Sequence, residues 1–215
     1  MERRIGWEYG WGEQVCISPG DQAVSSVDPN QVILTGENPF IKISEADGAP
    51  LSTDASYWRI VFSPAGPGHA LYIKSELTDG EWCVYSDNIA LARWLQSSIQ
   101  GMLNNETADT TIPVVDAVFT QSGDLRDFWT ETITAEDHEI GMTWYDIGEP
   151  LLIHTDPETD PDRPAGVCTI LIPCAGARLT LDGNQAKGRP WPREREGRPF
   201  STTCLAFSES WTELR

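Results

Sequence analysis

The stretch Glu136-Asp137-His138-Glu139-Ile140-Gly141-Met142-Thr143-Trp144-Tyr145-Asp146 holds the densest set of side chains able to move a proton. On a strand, alternate residues share a face, so Glu136, His138, Ile140, Met142 and Trp144 point one way while Asp137, Glu139, Thr143 and Tyr145 point the other. An imidazole aligned with Ile, Met and Trp tends to face an interior, and with a carboxylate two residues away it suits a general base near neutral pH. His138 is therefore the expected catalytic acid or base. Glu136 or Asp116 would set its protonation, and Trp144, Trp129, Met142 and Tyr145 would shape the pocket. The ordinary alternative is a hydrogen-bonded core histidine, or an exposed one near a strand end. A His138 on the solvent side with no pocket would remove the enzyme hypothesis.

His154 joins this group only in one register. If Ile147-Gly148 is a two-residue hairpin loop, His154 falls opposite Gly141 and away from His138; a three-residue loop moves it opposite Met142 and onto the same wall. The three histidines, His69, His138 and His154, show neither His-x-His nor His-Glu-x-x-His spacing, and five residues separate Cys168 from Cys174, which fits no zinc knuckle. Asp156, Glu158, Asp160 and Asp162 alternate like calcium ligands, but Pro161 and Val167 stand where such a loop needs Gly and Glu. The expectation is no metal and no cofactor. Elbow, phosphate-loop and dinucleotide glycine motifs are also missing.

A second candidate is cationic. Lys187, Arg189, Arg193, Arg195 and Arg198 surround Pro190-Trp191-Pro192, a flap whose charges and Trp191 ring suit an anionic or aromatic ligand. Its ordinary role would be packing against the protein's own acidic surface. The chain has 215 residues with a net charge of -18, divided into -11 over residues 1–130, -10 over 131–162 and +3 over 163–215. That balance argues against nucleic acid and against anionic membrane surfaces.

Elements must hold these groups in place. Trp58 to Phe62, His69 to Lys74 and Glu81 to Tyr85, with Asp79-Gly80 between the last two, read as a three-stranded antiparallel meander. Leu91, Leu95, Ile99, Met102 and Leu103 gather on one helix face, capped by Ser86 or Asp87 and ended by Asn104-Asn105, with Arg93 and Gln96 on the wet side. Strands resume over Pro113 to Thr120, an unusually long run from Phe128 to Asp146, Leu151 to His154, Val167 to Pro173, Ala177 to Leu181, and Ser201 to Ser208. Thr155 to Pro164 reads as loop, and Trp7, Tyr9 and Trp11 would share one strand face.

Ten or so short strands and one amphipathic helix describe an all-β domain over residues 1–215, an antiparallel β-barrel or a curved β-sandwich. A lipocalin-like barrel suits the nine Trp, six Phe and five Tyr. Gly6 and Gly10 each directly precede a Trp, so that family's Gly-x-Trp is not met and no family is assigned. The expected activity is cofactor-independent acid/base chemistry on a small apolar or aromatic molecule, of isomerase, hydratase, lyase or cyclase type. The alternatives are a non-catalytic carrier with the same barrel or an acidic protein-interaction module, and the pattern leaves room for a homodimer. Five cysteines and a charged start, Met1-Glu2-Arg3-Arg4, fit reduced thiols and a cytoplasmic home.

Overall fold

Apolar residues at consecutive positions, as in Leu71-Tyr72-Ile73, mark strands buried on both faces. A computed structural model describes residues 31–157, 164–195 and 197–213 and shows what covers each face. The strands are β1 (Val32–Glu37), β2 (Phe40–Ile43), β3 (Thr53–Phe62), β4 (Gly68–Ser75), β5 (Trp82–Ser86), β6 (Val114–Asp116), β7 (Val118–Gly123), β8 (Phe128–Thr134), β9 (Glu139–Ile147), β10 (Leu151–Thr155), β11 (Gly166–Leu181), β12 (Asn184–Gln185), β13 (Pro192–Arg195), β14 (Arg198–Ser201) and β15 (Thr203–Thr212). Helices α1 (Ile89–Ser97) and α2 (Ile99–Leu103) lie between β5 and β6.

One large mixed sheet runs in the order β6-β5-β4-β3-β1-β15-β11-β9-β8-β7, with β2, β10 and β12 attached beside it; β13 and β14 form a separate hairpin. Among the described residues, only the β5 to β6 pairing is parallel. The two ends of the path, β6 and β7, are separated in the chain by Ala117 alone. Alternate residues feed two cores. Tyr57, Leu71, Ile73 and Tyr85 meet Ile133, Ile140, Met142, Trp144 and Leu179 from the far limb of the sheet. On the opposite face Trp58, Ile60, Tyr72 and Val84 pack against Leu91, Leu95 and Ile99 of the helices.

The expected meander is β3, β4 and β5, and Asp79 and Gly80 both take positive φ in the turn ahead of β5. The helix differs in three respects. Asn88, not Ser86 or Asp87, caps it by accepting from the Leu91 N–H at 3.2 Å. A break at Ser98 divides it. Gln96 is buried rather than wet, because the segment after α2 folds back and the Asp109 carbonyl accepts from Gln96 Nε2 at 2.9 Å.

Three further expectations change. The run from Phe128 to Asp146 is a hairpin of β8 and β9 that turns at residues 135–138, where acidic side chains favour solvent over a ladder, and Gly141 sits mid-strand opposite Thr132 and Thr180. Leu151 to His154 does not fold back on β9. Instead β9 and β10 lie end to end along β11, Ile147 opposite Cys174 and Leu151 opposite Leu171. The two strands expected between Val167 and Leu181 are therefore one, β11, long enough to serve both. Trp7, Tyr9, Trp11 and residues 158–163 of the acidic loop lie outside the described residues. Among the described residues, no helix is long and apolar enough to cross a membrane.

Candidate functional site

The helix-side face of the sheet is only partly covered by α1 and α2, and beyond them it opens into a cleft with a cavity of about 540 Å3. Four of the strands bordering it contribute alternate residues: Asp54 and Ser56 from β3, Ile153 and Thr155 from β10, Thr169 and Leu171 from β11, Glu209 and Trp211 from β15. The hairpin of β13 and β14 closes the outer side, with Arg193, Arg195 and Phe200 facing in.

Glu209 reaches this cleft because β15 carries a bulge. Leu205 and Phe207 point into the first core, so strict alternation would send Glu209 there too. Opposite Thr169 the register between β11 and β15 shifts by one residue, and Ser208 takes a positive φ of 57°. The extra residue turns Glu209 and Trp211 to the cleft. There Glu209 is wholly desolvated, and burial pushes its carboxyl up to about 7, against the opposing pull of Trp211 Nε1, which donates to Glu209 Oε1 at 2.6 Å. The Thr169 hydroxyl stands beside the same carboxyl without closing a well-formed hydrogen bond. The remaining wall is polar and already organised: Gln100 Oε1 accepts from Ser56 Oγ at 2.9 Å and from Trp58 Nε1 at 2.8 Å, and Asn38 Nδ2 donates to Ser56 Oγ at 3.0 Å.

Glu131 repeats the pattern inside the first core. It is buried, accepts from Trp129 Nε1 at 2.9 Å, and desolvation raises it above the usual carboxylate range, with the Tyr57 phenol pulling the other way. The same burial raises Tyr57 well above a normal phenol. Both buried glutamates sit two residues from a tryptophan on the same strand face, in Trp129-Thr130-Glu131 and Glu209-Ser210-Trp211. An acid sharing a strand face with a tryptophan was the available sequence signal for both.

The residues first singled out lie elsewhere. His138 is in the turn before β9, not on its inward face; the ring is about half exposed and its Nδ1 lies 2.9 Å from Asp182 Oδ2. Glu136 is exposed in the same turn and Asp116 is exposed at the end of β6. No hydrogen bond or ion pair joins these three among the described residues. Met142 and Trp144 are buried in the first core, and Trp129 stands at its edge against Phe207, ring centroids 5.8 Å apart. Tyr145 lies on the outer face over Gly176, where an added methyl would meet its ring. His154 lies between Ile153 and Thr155 and so faces away from the cleft; its Nε2 is 3.6 Å from Asp156 Oδ1. His69 in turn pairs with Asp87 and stacks on Phe119. Each histidine thus has its own aspartate, and among the described residues no group of three metal-ligating side chains forms.

The basic flap is a real hairpin, and it partitions two cavities. Arg193 and Arg195 face the Glu209 cleft, whereas Trp191, Pro192 and Pro199 line a second, more apolar cavity of about 670 Å3; Phe200 and Ser201 border both. Comparison with protein-family models, curated proteins and solved structures found no match.

Proposed function

We propose that the protein binds a small, largely apolar molecule in the cleft under the 192–201 hairpin and transfers a proton to or from it through Glu209. One observation carries this reading: a fully desolvated carboxyl that a strand bulge aims into a cavity, beside an under-bonded hydroxyl and between the polar wall of Asn38, Ser56 and Gln100 and the apolar side chains of Ile153, Leu171 and Phe200. A carboxyl held near neutrality is both a usable base and a usable acid. The exposed His138 ends the enzyme hypothesis built on it, and acid/base chemistry is proposed anew here on Glu209 alone. The two ends of the strand path, joined through Ala117, support a closed barrel wall around the first core. The free thiols of Cys83, Cys174 and Cys204 suit a reducing compartment such as the cytoplasm.

The base can be tested with 5-nitrobenzisoxazole, a small aromatic probe. Glu209 takes the C3 proton, the N–O bond breaks, and coloured 2-cyano-4-nitrophenolate leaves. We expect a rate on the order of 100-fold or more above free carboxylate, rising as pH passes through about 7 and lost in Glu209→Gln. A cleft that takes up the probe without accelerating it above that background makes the protein a carrier rather than an enzyme.

A further inference from the structure

The cleft's mouth carries charge that the proton-transfer reading does not use. Arg193 and Arg195 alternate on β13 and so share the face that lines the cavity, while Glu194 between them points to the other side with Pro199. Both arginines are exposed, and neither has an ion-pair partner among the described residues. That is notable in a chain with 33 acids and 15 bases, where Lys42, Arg59, Lys74 and Arg189 each take a carboxylate. Arg93, Arg126, Arg178 and Lys187 are also without an ion pair among the described residues, but none of them lines the cleft. Nor can the cleft's own acids serve: Asp54 is held by Lys42 at 3.2 Å, and Glu209 lies at the floor, bonded to Trp211.

We infer that the ligand carries an anionic group, a carboxylate or a phosphate, gripped by Arg193 and Arg195, with its apolar body running inward past Phe200 and Leu171 toward Glu209. A guanidinium presents a planar fork that matches either oxyanion, and two side by side leave room for both forks. The cavity of about 540 Å3 falls within the range that encloses such a molecule. The anion would fix which end enters, so that the reacting carbon rather than the charge meets the buried carboxyl. This inference rests on the cleft being the binding site, and the test separates the two.

The probes are 8-anilinonaphthalene-1-sulfonate and its uncharged counterpart N-phenyl-1-naphthylamine, followed by their fluorescence on binding. Both should bind, the sulfonate tighter by on the order of tenfold to a hundredfold at low salt. Arg193→Gln with Arg195→Gln should erase that preference and leave the uncharged probe's affinity unchanged. Leu171→Trp, which fills the cleft, should weaken both; its folding is checked by its melting temperature. Displacement of the sulfonate by 1-naphthaleneacetate against 1-naphthyl phosphate then tells carboxylate from phosphate. Equal affinity of the two probes for the native protein, an equal loss of both in the double variant, or failure of both naphthyl anions to compete overturns the anion inference. Failure of both probes to bind, or indifference of both to Leu171→Trp, instead overturns the cleft as the binding site.

Discussion

A carboxyl buried to the extent of Glu209 affects stability before it does any chemistry. Its folded-state value, about 7, stands above the ordinary 4.5, so the folded protein holds a proton that the unfolded chain releases. Below the ordinary glutamate range both states are protonated and nothing is lost. Between there and about pH 7 stability falls as pH rises, and above that the full penalty applies, roughly 3 kcal/mol. Glu209→Gln keeps the shape and removes the titration, and its amide can still accept from Trp211. The variant should match the native protein in urea unfolding at pH 4 and exceed it by a few kcal/mol at pH 8. An equal difference at both pH values would show that Glu209 does not titrate between them. The native protein keeps this destabilising group in place, which is what a site selected for reactivity rather than stability would show.

The element that makes Glu209 available is one irregular residue in β15. A non-glycine residue in the left-handed region is strained by about 1–2 kcal/mol. Ser208→Gly should relieve part of this, raising the urea midpoint by the equivalent of about 0.5–1 kcal/mol after allowance for the more flexible unfolded chain. A loss of stability in Ser208→Gly would mean that the serine side chain, not the backbone, holds the bulge. Such irregularities explain why the elements were legible in the sequence and the site was not. Turn signals around short apolar runs located β3, β4 and β5, and the apolar stripe found the helix, because these depend on a segment's own residues, whereas β8 and β9 read as one run. The bulge at Ser208, the end-to-end placement of β9 and β10, and the turn that exposes His138 depend on a partner strand. The pattern Ile140, Met142, Trp144 pointed inward as expected; extending it back by two residues to His138 ran past the strand's end. The cationic hairpin was visible as composition, but its target was not: Arg193 and Arg195 turn to the cleft, and Arg189 pairs with Asp47 instead of the acidic 131–162 stretch.

Across the whole molecule, β15 is the strand at which two limbs of the sheet join. It pairs with β1 and β2 on one edge and with β11 on the other, so the limb formed by β1 to β6 and the limb formed by β7 to β11 meet in hydrogen bonds only through it along the sheet path. Its side chains serve both cores, Leu205 entering the first and Trp211 the second, while Glu209 floors the cleft between the limbs. The last strand of the described chain thus couples packing to the site, and neither limb should melt alone. Leu205 is fully buried, and Leu205→Ala should lower stability by about 2–5 kcal/mol. Tryptophan fluorescence, which reports Trp58 in one limb and Trp144 in the other, should still change together with far-ultraviolet circular dichroism in a single transition. Two separated transitions would show that the limbs are independent units and that β15 merely lies between them. A single lowered transition shows that the cleft loses its floor together with the fold.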